Sequence, residues 1–138
     1  METKIKFLLL DIGGVIVLGR AFKSERVNKT LVSWIQRKKK NYKICALTNN
    51  TAILNRLLKK KFKIYHLFDN IFNSAEIGLS KPNPKFFKYV LKKLKAKPKG
   101  CLFIDNNPKN TKTAKNLGFY TITFFNNRDF LKKIKKSL

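Results

Sequence analysis

Three apolar runs in this 138-residue chain each end on a residue able to do chemistry. Residues 7–10 run into Asp11, residues 44–47 into Thr48-Asn49-Asn50, and residues 101–104 into Asp105-Asn106-Asn107. The chain has seven acidic residues, so two of them at run ends call for a reason. If the runs are parallel strands of one sheet, the residues that follow them gather at one edge. Two carboxylates converging there repel unless a cation or a proton lies between them. Hard oxygen ligands with open positions suit Mg²⁺. Lys81, in the proline-containing loop 78–84, can reach the same edge and balance charge. Thr48 offers a hydroxyl and Asn49 an amide to a phosphoryl oxygen. Carboxylate pair, cation, lysine and hydroxyl together make a phosphoryl-transfer site.

The elements that must position these residues follow from periodicity. Residues 4–10, 44–47, 71–72, 101–104 and 120–124 read as strands. A helix opens at Ser24-Glu25 and runs to about Lys38, with Val27, Leu31, Trp34 and Ile35 on one face. Asn50 caps a second helix through about Lys61, with Ile53, Leu54, Leu57 and Leu58 apolar. Pro84 starts a third, reaching about Lys95, with Phe87, Val90, Leu91 and Leu94 inward. Pro108 starts a fourth, closed by Gly118, and residues 128–136 form the last. Strands alternating with helices predict an α/β fold: a three-layer, Rossmann-like parallel sheet of about five strands, in one domain over residues 1–138.

Composition narrows the classes. With 43% hydrophobic and 12% aromatic residues the chain builds a core, which excludes disorder despite a net charge of +25. The apolar runs are too short for a membrane span, and no secretory leader is recognisable. Two cysteines are too few for a disulfide framework, which points to a reducing, cytoplasmic setting. His66, between aromatic residues, and Trp34, at helical spacing from Leu31, read as structural. The charge attracts polyanions, nucleic acid among them. Yet Lys, Asn, Ile and Phe supply 65 of the 138 residues, all with AT-rich codons, so genome composition accounts for the lysines as well.

In motif order the sequence resembles the haloacid dehalogenase-like superfamily of hydrolases, mostly phosphatases. Phe7-Leu-Leu-Leu-Asp-Ile-Gly-Gly-Val15 is similar to its first motif and Ile44-Cys-Ala-Leu-Thr-Asn49 to its second. Gly78-Leu-Ser-Lys-Pro-Asn-Pro84 is similar to its third, and Cys101-Leu-Phe-Ile-Asp-Asn106, with Asn110, Ala114 and Gly118, to its fourth. The resemblance implies Asp11 as nucleophile, forming an aspartyl-phosphate that water hydrolyses. It implies Thr48 and Lys81 on the transferring phosphoryl group. Asn49 orients the substrate or the motif-two turn, and Gly14 lies at the substrate or shapes the backbone. Mg²⁺ is implied on the Asp11 carboxylate, the Gly13 carbonyl and Asp105, with Asn106 as a ligand or orienting a metal-bound water. Cys45 and Cys101 are placed on strands either side of the motif-one strand, beyond disulfide reach.

Two departures from the family pattern stand out. Gly13 occupies the position of a general-acid Asp, a loss worth typically ~10²–10⁴ in rate. Asn106 replaces a common Asp, which predicts weaker Mg²⁺ binding. The 36 residues between Asp11 and Thr48, and the 32 between Thr48 and Lys81, leave no room for a cap domain. An open site suits a macromolecular phosphorylated substrate, or a neighbouring subunit as lid. A feeble or inactive relative that binds nucleic acid or another polyanion is the alternative reading.

Overall fold

The computed structural model describes residues 4–19 and 25–138. In chain order its elements begin with β1 (Phe7–Leu10), a hairpin of β2 (Val17–Leu18) and β3 (Arg26–Val27), then α1 (Lys29–Lys38) and β4 (Lys43–Thr48). There follow α2 (Leu54–Arg56), β5 (Asn70–Asn73), α3 (Ser74–Ile77), α4 (Pro84–Leu94), β6 (Cys101–Asp105), α5 (Pro108–Asn116), β7 (Tyr120–Thr123) and α6 (Asn127–Ser137). Five strands form one parallel sheet in the order β5-β4-β1-β6-β7, so the three-layer α/β architecture expected from the sequence is the one the chain adopts.

Both faces of the sheet are covered, which is why its central strands are apolar almost throughout. Leu8, Leu10, Ile44, Ala46, Leu102 and Ile104 face α1 and α6, meeting Leu31, Trp34, Ile35, Phe130 and Ile134. Trp34 stands edge-on to Phe130 with ring centroids 5.0 Å apart. Alternate residues Leu9, Cys45, Leu47, Cys101 and Phe103 face α4 and α5. There Phe87 makes edge-to-face contacts with Phe86, Phe103 and Phe119 at 5.8, 5.2 and 5.7 Å. Cys45 and Cys101 flank β1, free and buried, and burial pushes both thiols up to about 12. Among the described residues no helix is long and apolar enough to cross a membrane.

Strand register places the two acids. Leu10 pairs with Ala46 on one side and Ile104 on the other, so the next residue along β1, Asp11, stands level with Asp105. The Asp11 N–H extends the ladder to the Ile104 carbonyl at 2.9 Å. Adjacent strands lie about 4.8 Å apart, so the two side chains leave the sheet as neighbours.

The connections depart from expectation in two places. Arg26 and Val27 belong to the hairpin, and the following helix begins at Lys29; Ser24 lies outside the described residues. Asn28 is the reason. Its Oδ1 accepts from the Leu31 N–H at 3.3 Å, its N–H donates to the Ile16 carbonyl, and its Nδ2 donates to the Val15 carbonyl at 3.0 Å. A reciprocal amide pair joins it to Asn127, at 2.8 and 2.9 Å, tying the loop after Asp11 to α6. The second departure follows β4. Asn50 caps no helix: its Oδ1 accepts from Thr51 and its N–H donates to Ser74 Oγ. A turn precedes α2, which passes into a π-helical turn at Leu57–Lys61, leaving Ile53 exposed rather than inward. Leu54 and Leu58 alone anchor that segment fully.

Asn28→Ala removes a cap and three amide bonds at once. It is expected to cost roughly 2–3 kcal/mol of stability in a urea titration, whereas Ile53→Ala changes it by less than about 0.5 kcal/mol.

Candidate active site

At the carboxyl edge of the sheet a cleft of about 240 Å³ is lined by Asp11, Gly13, Thr48, Asn49, Asn50, Lys81, Asn106 and Asn107 of the β6–α5 turn, and Asn110 of α5. Its centre is the Lys81 ammonium, which is 1% exposed. The group lies 3.0 Å from Asp11 Oδ1, 2.8 Å from Asp105 Oδ2 and 2.7 Å from the Leu47 carbonyl. It donates hydrogen bonds to Asp105 and to the Leu47 carbonyl and makes an ion pair with Asp11. Lys81 therefore holds the two carboxylates and supplies charge.

Asn49 explains why a loop lysine is so well placed. Its Nδ2 donates to the Lys81 carbonyl at 2.9 Å and its Oδ1 accepts from the Lys81 N–H at 3.0 Å. Both polar atoms face the backbone of the Lys81 loop, which Asn49 thereby holds. Asp105 is fully buried, and it accepts from the Asn107 N–H at 2.8 Å and from Asn110 Nδ2 at 3.0 Å. Asn110, read from sequence as a brace for a loop, is thus part of the site, 5% exposed, with its Oδ1 unpartnered. Its place in the fourth motif, five residues after Asp105, was the available signal. Thr48, 1% exposed at the end of β4, lines the cleft. Gly14 has φ +81°, and its N–H bonds to the Val17 carbonyl at 2.8 Å. A Cβ there would collide with the Asn106 amide, so Gly14 is held to glycine by both conformation and space. His66 is exposed, outside this cluster.

The charge balance sets the chemistry. Two carboxylates around one ammonium leave one negative charge in excess. The Asp11 carboxyl bears it, raised from an ordinary 3.8 to about 6 by burial first, with Asp105 adding to the rise and Lys81 opposing it. One end of the Asn106 amide lies 3.3 Å from Asp105 Oδ1 and 3.2 Å from Asp11 Oδ2. Among the described residues no three His, Cys, Asp or Glu cluster, so the donor set is two carboxylates, an amide and the Gly13 carbonyl. These are hard oxygens, and neighbouring ligands on an Mg²⁺ octahedron are about 3.0 Å apart, given bonds of about 2.1 Å. The residues present fit such a cation.

Residues 11–118 match the family model for haloacid dehalogenase-like hydrolases. The chain belongs to this family. Among curated relatives it is 28% identical over 125 residues to Bifunctional epoxide hydrolase 2 of Mus musculus, covering 87% of this chain and 23% of that protein. It is 31% identical over 94 residues to Glyceraldehyde 3-phosphate phosphatase of Methanocaldococcus jannaschii, covering 67% and 41%. The chain thus spans less than a quarter of the mouse relative and under half of the archaeal one. Its fold is that of a haloacid dehalogenase family enzyme from Bacteroides thetaiotaomicron solved with magnesium: TM-score 0.83 at 20% identity, over 96% of this chain and all of that one.

A folded-state pKa raised to about 6 means that ionising Asp11 costs the folded protein stability, in full above about pH 6 and not at all below its ordinary value. Asp11→Asn is therefore expected to stabilise the metal-free protein by roughly 1–3 kcal/mol at pH 7.5, with the gain vanishing near pH 4, in denaturant titrations with EDTA. Lys81→Ala, which leaves two buried carboxylates facing each other, is expected to lose roughly 3–5 kcal/mol under the same conditions.

Proposed function

We propose that this chain is a Mg²⁺-dependent phosphatase that works through an aspartyl-phosphate on Asp11. The observation that carries the reading is the split environment of that carboxylate. Oδ1 is fixed by the Ile12 N–H at 2.9 Å and by Lys81, while Oδ2 faces the Asn106 amide beside Asp105. One oxygen is thereby assigned to attack and the other to the metal side. A Mg²⁺ bound here would be held by Asp11, Asp105, the Gly13 carbonyl and Asn106, and would supply charge neutralisation to the incoming phosphate.

The Asp11 Oδ1 lone pair forms a bond to phosphorus as the bond to the leaving oxygen breaks. Water then attacks phosphorus, freeing inorganic phosphate and restoring the carboxylate. Thr48 presents its hydroxyl to the transferring group. Lys81 keeps Asp11 ionised at neutral pH by opposing the effect of its burial. No side chain at Gly13 protonates the leaving group, so the leaving oxygen must depart as a good anion, as in acyl or anomeric phosphates. A Cβ at Gly13 would meet nothing within 4 Å, so the acid is missing for want of a side chain and not for want of space.

The described residues between Asp11 and Lys81 build the hairpin, α1 to α3 and their loops, and no separate domain. That openness suits a phosphate on a large molecule, and the free buried thiols suit a reducing, cytoplasmic setting.

A polyanion-binding module is the second reading, and the opposite edge of the sheet favours it. Lys4 and Lys6 precede β1, Lys39 and Lys40 precede β4, and Lys97 and Lys99 precede β6, so topology collects them where the strands begin. A groove of about 710 Å³ there includes Lys4, Lys136, Tyr42 and Tyr120. Helix C-termini at that edge account for some of the lysines.

With Mg²⁺ and an aryl phosphate, phosphate release is expected, and Asp11→Asn should abolish it; equal turnover from both proteins would remove the enzyme reading. Gly13→Asp is expected to raise turnover of an alkyl phosphate by ~10-fold or more while changing that of an acyl phosphate little. For the second reading, only millimolar affinity for short single-stranded DNA, with a shallow dependence on salt, would dismiss it.

A further inference from the structure

We propose that Asn106 is an exchangeable plug: its amide nitrogen holds the two carboxylates together when no metal is bound, and its oxygen replaces the nitrogen when the cation enters. The inference rests on the metal-site reading above and goes beyond it to the state the site adopts without metal. One end of the amide faces Asp11 Oδ2 at 3.2 Å and Asp105 Oδ1 at 3.3 Å. With nitrogen inward, both N–H groups donate to carboxylate oxygens, charge-assisted bonds of the stronger kind. With oxygen inward, three oxygens face one another and require a cation among them. Both orientations occupy the same volume, so a half-turn of the planar amide exchanges them without moving the backbone.

Asn106 is itself exposed, lining the cleft beside the two acids. Lys81 contacts Asp11 Oδ1, Asp105 Oδ2 and the Leu47 carbonyl, whereas the oxygens that face Asn106 are the other two, Asp11 Oδ2 and Asp105 Oδ1. The amide presses against Gly14, where no Cβ fits, which fixes its plane close to the two acids. An Asp at position 106 would bring a third carboxylate to the same spot against a single lysine. The neutral amide therefore trades affinity for metal against stability of the empty site. It also leaves the loaded site with one net positive charge, from Mg²⁺ and Lys81 against Asp11 and Asp105, ready for a phosphate dianion.

The test uses the whole chain, metal-free in EDTA and titrated with Mg²⁺, with no substrate present. Asn106→Asp is expected to bind Mg²⁺ at least tenfold more tightly by calorimetry and, without metal, to melt several degrees below the native protein. The ¹⁵N side-chain signals give a readout independent of variant stability. The Asn106 NH₂ pair, identified as the one missing from the variant's spectrum, should exchange slowly with solvent in EDTA, then shift and exchange faster on Mg²⁺ addition. Heat of Mg²⁺ binding with an unmoved NH₂ pair would overturn the plug and leave the metal site standing. Equal Mg²⁺ affinity of native and Asn106→Asp proteins would overturn it as well. No Mg²⁺ binding by either protein would bring down the metal-site reading, and the plug with it.

Discussion

One ammonium between two carboxylates governs this site. Without Lys81, strand register alone would force Asp11 and Asp105 into mutual repulsion at neighbouring positions of β1 and β6. With it, the pair is tolerated but remains short of one positive charge. That deficit makes a divalent cation welcome and keeps Asp11 from being an ordinary surface acid. A buried ion cluster of this kind is poor as a source of stability. Its presence in a chain with so few acids speaks for a task at the site rather than for the fold.

The rest of the structure serves to place that ammonium. Lys81 comes from a loop, the least rigid kind of element, yet the Asn49 amide clasps its backbone from the end of β4 in both directions. The Asn107 backbone N–H and the Asn110 amide donate to the Asp105 carboxylate, and the Asn28 amide fixes the loop that follows Asp11. Neutral side-chain amides perform most of these tasks. They provide donors and acceptors in pairs without adding charge to a site whose balance is already set, and a third acid or a second lysine would upset it.

Much of this was legible in the sequence because it depends on short-range rules. Apolar runs ending on Asp11, Thr48 and Asp105 fixed the strands, and the parallel topology that follows from alternating helices brought their ends together. Pro84 and Pro108 marked helix starts where the chain does begin α4 and α5. What escaped depends on partners distant in sequence. Nothing near Asn28 announces that its amide will meet Val15 and Asn127, so the helix start was placed at Ser24. Asn50 looked like a cap because its bond to Ser74 lies across β5. The clasp between Asn49 and the Lys81 backbone was hidden for the same reason: its two partners lie 32 positions apart in the chain.

The central claim is that Asp11 carries the phosphoryl group. Its most direct test is to quench the protein during turnover of an activated phosphate with Mg²⁺ and reduce it with borohydride, which converts an aspartyl-phosphate to homoserine. Peptide mass spectrometry should then find homoserine at position 11 and nowhere else. Turnover with an unmodified Asp11, or with the modification on another carboxylate, would contradict the account.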